Sequence, residues 1–241
     1  MQLKKHLSFT VNGVSFKLCL VTHGTFLMGA DKSTDPDACD WEGPVHEVSI
    51  SRDYYVAETL VTQELYEAVM GENPANFFFS PKHPVEQVNW NSCQKFVSKL
   101  NKLIPDGSFS LPTEAEWEFA ARGGNSSKGY RFAGSDDADE VSCNGDNSPD
   151  ETIPVASYAP NELGLYDMSG NVWEWCQDFY DTYSADSVTD PTGPESGEAH
   201  VLRGGGFYGN VNSCRVTARG ASQPLYNNAN LGFRFVFHPA K

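Results

Sequence analysis

Two long stretches of this chain, residues 124–162 and 177–200, show neither a helical nor a strand period and are rich in Gly, Ser, Asp, Asn and Pro. Structureless loops longer than about 15 residues are uncommon in compact domains unless function, ions or packing hold them. No linker divides the chain and no internal repeat of about 20–50 residues recurs. The fold must therefore use a little regular structure to support a great deal of irregular backbone. That reads as one α+β domain over residues 1–241, with its core at about 14–237.

The regular structure lies mostly in the first half. In 14-VSFKLCLVTHGTFLMGA-30 apolar and polar residues alternate between glycines, which predicts strands. Residues 31–44 are a polar loop. Alternation returns in 45-VHEVSISRDYYVAE-58, with Val45, Val48, Ile50, Tyr54 and Val56 on the inner side. Thr62 suits the N-cap of a helix over 63-QELYEAVMG, with Leu65, Tyr66 and Val69 as its apolar face and Gly71 as its stop. A second helix is predicted in 91-NSCQKFVSKLNK, capped by Asn91, since Cys93, Phe96, Val97 and Leu100 fall on one face. In 112-PTEAEWEFAARGG, Thr113 and Glu116 form a capping box before a third helix that Gly123 closes.

Hydrophobic residues make up 39% of the chain, enough for a sizeable core without staples. The net charge is −15, from 17 basic and 32 acidic residues. A field of that sign repels phosphate backbones and anionic lipid, so no nucleic-acid partner and no membrane partner are expected. No run of about 18 apolar residues offers a membrane span. The start, MQLKKHLSFTVNG, has lysines but no apolar block after them and does not read as a signal peptide.

Four segments, 60-LVTQELYEAVMGENP-74, 84-PVEQVNWNSCQKFVSKLN-101, 111-LPTEAEWEFAARGG-124 and 164-GLYDMSGNVWEW-175, come in a telling order. With the closing 203-RGGG and NLGFR, which ends near residue 234, they resemble the formylglycine-generating enzyme, or sulfatase-modifying factor, family. The likeness runs from about residue 14 to 237. It implies a C-type-lectin-like fold with few helices, short antiparallel strands and much irregular loop. Members of that family differ in function, so the site must decide it.

The family's oxidases hold Cu(I), a soft metal, between two cysteine thiolates of the last segment. Here that segment has only Cys214, so no copper is expected and no catalytic residue is assigned. Cys176 is a candidate to approach Cys214, as a buried thiol pair or a disulfide. The six cysteines, at 19, 39, 93, 143, 176 and 214, form no C-x-x-C and neighbour no histidine at zinc spacing. The histidines, at 6, 23, 46, 83, 200 and 238, show no iron-ligand spacing. An oxidoreductase with thiol or metal chemistry remains the alternative reading.

The resemblance also implies structural Ca²⁺ in 167-DMSGNVWE-174, where Asp167 and Glu174 offer carboxylates and Gly170 and Val172 offer carbonyls, the hard oxygens this ion takes. The competing reading is a buried turn in which both carboxylates bond backbone amides. A second family site would involve Asn144 and an acid such as Asp150, in a loop shortened here.

In the final segment, about 206–234, two kinds of residue interleave. Phe207, Val211, Cys214, Arg215, Val216, Arg219, Leu231 and Phe233 read as frame. Between them stand Tyr208, Gly209, Asn210, Asn212, Ser213, Gly220, Ser222, Gln223, Tyr226, Asn227 and Asn228, chiefly the Tyr, Ser, Gly and Asn that dominate evolved recognition surfaces. This is similar to the variable proteins of diversity-generating retroelements, in which adenine-templated codons of the C-terminal segment are rewritten. That resemblance implies a receptor on a cell surface or outside the cell, with a protein or glycan ligand. An undiversified module of the same family is the alternative, because Asn-rich text is ordinary there.

Overall fold

A computed structural model describes residues 3–240. Its first strands are β1 (His6–Val11) and β2 (Val14–Val21), an antiparallel hairpin in which Val11 faces Val14. The turn is Asn12–Gly13, both at positive φ, the dipeptide that the mirror-image hairpin turns favour. The sheet therefore begins ahead of residue 14, where the expected core starts. Next come β3 (Gly24–Met28), β4 (His46–Ile50) and β5 (Tyr54–Ala57). The single alternating stretch 45–58 is thus two strands, and they enter different sheets. Val48, Ile50, Tyr54 and Val56 are buried as expected, whereas Val45 is half-buried and His46 takes the inner position.

Three helices pack behind the strands. In α1 (Gln63–Met70) the Thr62 hydroxyl accepts from the Leu65 amide at 3.3 Å, and Gly71 ends the helix at φ 85°. In α2 (Trp90–Leu103) Cys93, Phe96, Val97 and Leu100 are the buried face. Its cap is Asn89, whose side chain accepts from the Ser92 amide at 2.9 Å, not Asn91. The third, α3 (Glu114–Ala121), carries the capping box of Thr113 and Glu116 and is buried on every side.

The remaining strands are β6 (Gly107–Ser110), β7 (Ser142–Cys143), β8 (Ser169–Gly170), β9 (Trp173–Phe179), β10 (Val188–Thr189), β11 (His200–Arg203), β12 (Arg219–Ser222), β13 (Leu231–Gly232) and β14 (Val236–Pro239). One sheet runs β1-β2-β5-β14-β6, so early and late strands lie together in it. A second runs β10-β4-β3 and a third β12-β11-β9-β13, while β7 pairs with β8. The main core lies between the first and third sheets and α1 and α2, with Phe96, Phe233, Phe235 and Trp175 wholly covered.

Side-chain amides hold the irregular stretches where ladders are missing. Asn161 donates to the carbonyls of Ala120 and Ala121 at 2.8 and 3.1 Å. Asn171 grips both the amide and the carbonyl of Ile153. His200 is stacked between Trp90 and Phe179, with ring centroids 3.9 and 4.1 Å apart. Buried backbone groups need such partners wherever regular structure supplies none.

Candidate binding face

Four buried arginines anchor the final segment, each to a carboxylate far away in sequence. Arg203 leaves β11 and donates to the carbonyls of Val216, Thr217 and Ala218, and it also pairs with Glu118. Arg215 reaches Glu42 at 2.5 and 2.8 Å and Asp35 at 3.1 Å. Arg219 forks onto Glu114 at 2.7 and 2.8 Å, under the Tyr183 ring. Arg234 meets Glu174 at 2.6 Å. Such bonds are short and directional, so they fix backbone position closely. Next to Arg203 the chain passes tightly through its glycines: a Cβ on Gly206 would lie 2.0 Å from the Asn230 side-chain oxygen.

On this frame the interleaving expected from sequence becomes a division by burial. Phe207, Cys214, Arg215, Val216, Arg219, Leu231 and Phe233 are buried, and Val211 is half-buried. Tyr208 is 73% exposed and Tyr226 53%. Gly209, Asn210, Gln223 and Asn227 are exposed as well, and Asn212, Ser213, Gly220, Ser222 and Asn228 are half-buried.

Contacts link these positions into an arc. Arg131 donates to the Asn212 side chain at 3.2 Å, and the Asn210 side chain accepts from the Asn212 amide. The Gly209 carbonyl accepts from Gly145, and the Tyr208 carbonyl accepts from Asn230 at 3.3 Å. Farther along, Asn228 donates to the Tyr226 hydroxyl, and Asn227 to the Gln87 carbonyl. Gly220, on edge strand β12, lies over the ring of Trp173, whose amide bonds the Asn230 carbonyl. Ser222 ends the same strand opposite His200.

Several neighbours of the arc were not picked out from sequence. They are Trp173, Asn230, Gln87 and the run Phe77–Phe79. Phe207 meets Phe77 edge-on at 5.4 Å, and Phe78 and Phe79 are 76% and 69% exposed. Three consecutive aromatics in a polar, aperiodic loop were the available signal.

The thiols do not form a reactive pair. All six cysteines are free. Cys214 packs with Phe132 and Val141, whereas Cys176 lies in a separate core cluster with Val56 and Trp117. The expected approach of Cys176 to Cys214 is therefore corrected. Burial pushes both thiols up, and lifts Cys143, which also feels the charges of Asp167 and Cys214, to about 12. Groups held as thiols are poor nucleophiles and poor copper ligands.

At Asp167, Gly170, Val172 and Glu174, where calcium is expected, the structure already places an internal cation. The cation beside Glu174 is Arg234, which also donates to the carbonyls of Ala57 and Tyr166. Burial raises the Asp167 and Glu174 carboxyls, against the opposing pull of Arg234. Asp167 accepts from the Ala156 amide at 2.9 Å, and the Gly170 amide is spent on the Gly204 carbonyl. Among the described residues no cluster of three or more His, Cys, Asp or Glu could hold a metal. At the second expected position, Asn144 is buried and accepts from the Asp146 amide, while Asp150 is exposed. Asp167 thus bonds a backbone amide as in the alternative reading, whereas one Glu174 oxygen pairs with Arg234 and the other, also buried, has no partner among the described residues.

Fold and face together define a C-type-lectin-like α+β protein with few helices and a largely irregular C-terminal surface. The sulfatase-modifying factor enzyme 1-like domain matches residues 12–239, and the chain belongs to that family. The formylglycine-generating enzyme of Streptomyces coelicolor is 41% identical over 176 residues, which are 64% of this chain and 52% of that protein. The chain thus spans about half the length of that relative. Treponema denticola variable protein 1 superposes with a TM-score of 0.88 at 31% identity, covering 98% of this chain and 100% of that one. PvdO from Pseudomonas aeruginosa superposes at 0.84 with 23% identity, a likeness of fold alone.

Proposed function

We propose that this chain is a non-catalytic, receptor-like binding protein whose segment 206–234 supplies a diversifiable recognition face. The observation that carries the reading is the division of that segment into a buried, arginine-anchored frame and an exposed arc of Tyr, Asn, Gly, Ser and Gln. Such a scaffold tolerates changed side chains on the arc because backbone position depends on other residues. Likeness to a Treponema variable protein supports the analogy with retroelement-diversified proteins. Its ligand is a protein or glycan, and its place is a cell surface or the outside of the cell. The lone buried Cys214 argues against the oxidase's two-thiolate chemistry, so copper and formylglycine formation are not part of this reading.

A display library tests it. Positions 208, 209, 210, 212, 213, 220, 222, 223, 226, 227 and 228 are randomised in the full chain and selected against an arbitrary folded protein such as lysozyme. The reading expects most members to fold and some to bind. A library that fails to fold, or folds and never yields a binder, overturns it.

A further inference from the structure

The loop 73–84 raises a question that its own sequence does not answer. It exposes two adjacent phenylalanines, yet it is firmly built. Gln63, 2% exposed, donates to the Phe77 carbonyl at 2.8 Å and accepts from Asn73 at 2.9 Å. Glu86, wholly buried, accepts from the Phe77 amide at 2.7 Å, and its second oxygen has no partner. Two buried polar side chains are thus committed to one loop, one of them incompletely satisfied. Burying such groups is unfavourable, and the outcome is a fixed pair of exposed rings rather than a covered core. Contiguous exposed apolar patches of this kind mark interaction sites.

The rings are continuous with the face already described. Tyr208 lies 6.5 Å from Phe207, Phe207 5.4 Å from Phe77, Phe77 6.3 Å from Phe79, and Phe79 6.4 Å from Phe78. The loop that borders them is acidic. Ser148 donates to the Phe207 carbonyl and caps the Asp150 amide, and Gly145 bonds Gly209, which brings Asp146 alongside. Glu151 is close enough to His83, the residue against which Phe79 packs, for its charge to be felt there. The cations near by are already used: Lys82 pairs with Glu64, and Arg131 with Asp35 and Asp37.

We infer that the recognition face is composite: Phe78 and Phe79 form a constant aromatic anchor beside the variable Tyr208, bordered by Asp146, Asp150 and Glu151, and its partner is a protein surface presenting lysine or arginine beside apolar side chains. The inference rests on the binding reading above and names the partner chemistry of that site. Aromatic faces attract cations, most strongly when water is excluded, and the acidic border selects the same sign. Pre-organised rings lose little freedom on binding, which is what the rigid loop provides. The C-terminal positions then tune a contact whose anchor does not vary.

The test uses the full chain and three random copolymers, poly(Lys,Tyr), poly(Glu,Tyr) and polylysine, at about 150 mM salt, where distant charge attraction is screened. Wild type is expected to bind poly(Lys,Tyr) about tenfold tighter than polylysine, and not to bind poly(Glu,Tyr). Phe78→Ser/Phe79→Ser removes that preference with melting temperature unchanged. Tyr208→Ala/Tyr226→Ala is measured beside it. Loss in the Tyr pair alone overturns the composite anchor but leaves the binding reading standing. Loss in the Phe pair alone keeps the anchor and contradicts the C-terminal reading. Unchanged binding in both variants, or equal binding of the acidic copolymer, overturns the inference.

Discussion

Arg234 donates to Glu174 at 2.6 Å, and both side chains are wholly buried. The arginine follows the NLGF motif of the last segment, and the glutamate sits in β9, so this pair ties the end of the recognition segment to the third sheet. It also supplies from within the chain the positive charge that a bound ion would otherwise bring. Breaking one side of a buried pair strands the other charge, so Glu174→Ala should destabilise the protein by about 3–5 kcal/mol. The loss should be the same in calcium and in chelator, as read by chemical denaturation. A larger loss in calcium would restore the ion to this turn.

Frame and face should respond differently to substitution. Arg215→Ala strands the buried Glu42 carboxylate, while Asp35 keeps Arg131, and should lose about 3–5 kcal/mol. Alanine at Tyr208, Gln223 or Asn227 should change stability by less than about 0.5 kcal/mol. Urea midpoints at constant slope decide the matter, and comparable losses in the two groups would contradict the division.

The buried thiols give a kinetic prediction. Cys214, Cys143 and Cys176 should resist a thiol reagent such as DTNB until the protein unfolds, with Cys39, the one half-buried cysteine, the first to react. Rapid labelling of Cys214 in the native protein, with Cu(I) uptake, would reopen the oxidase alternative.

Asp178 predicts a pH dependence. Burial first, then the charge of Glu114, raises its carboxyl from 3.8 to about 8, and burial lifts Glu116 to about 7. The folded protein therefore keeps protons that the unfolded chain releases. This contribution is complete below pH 3.8, falls as pH rises, and is exhausted above about 8. Between pH 5 and 8 the Asp178→Asn variant should lose less stability than wild type, by on the order of 2 kcal/mol. Parallel curves would show that Asp178 is already ionised in the folded state.

What could be read in the sequence was local. The apolar face of α2 follows from spacing within one element, and all four expected residues are buried there. Its cap was misplaced because Asn89 and Asn91 both suit the role, and only Asn89 has its side chain on the Ser92 amide. The break between β4 and β5 was hidden because inward-facing residues continue on both sides of residues 51–53. Frame and face could be separated because apolar and polar residues interleave along 207–233. What escaped depends on distant partners: Arg234 on Glu174, Phe77 on Phe207, and Cys214 on Phe132 rather than Cys176. No period in the chain encodes those meetings.

The central claim is that the exposed arc, and not the frame, is where this protein varies. Sequencing the 3′ end of its gene in many cells of one culture, together with the flanking DNA, tests that most directly. The account predicts substitutions confined to codons of exposed and half-exposed positions such as Tyr208, Asn210, Asn212, Tyr226 and Asn227, beside a near-copy template, with Arg203, Arg215, Arg219 and Arg234 unchanged. A segment identical in every cell and no template copy near by would contradict it.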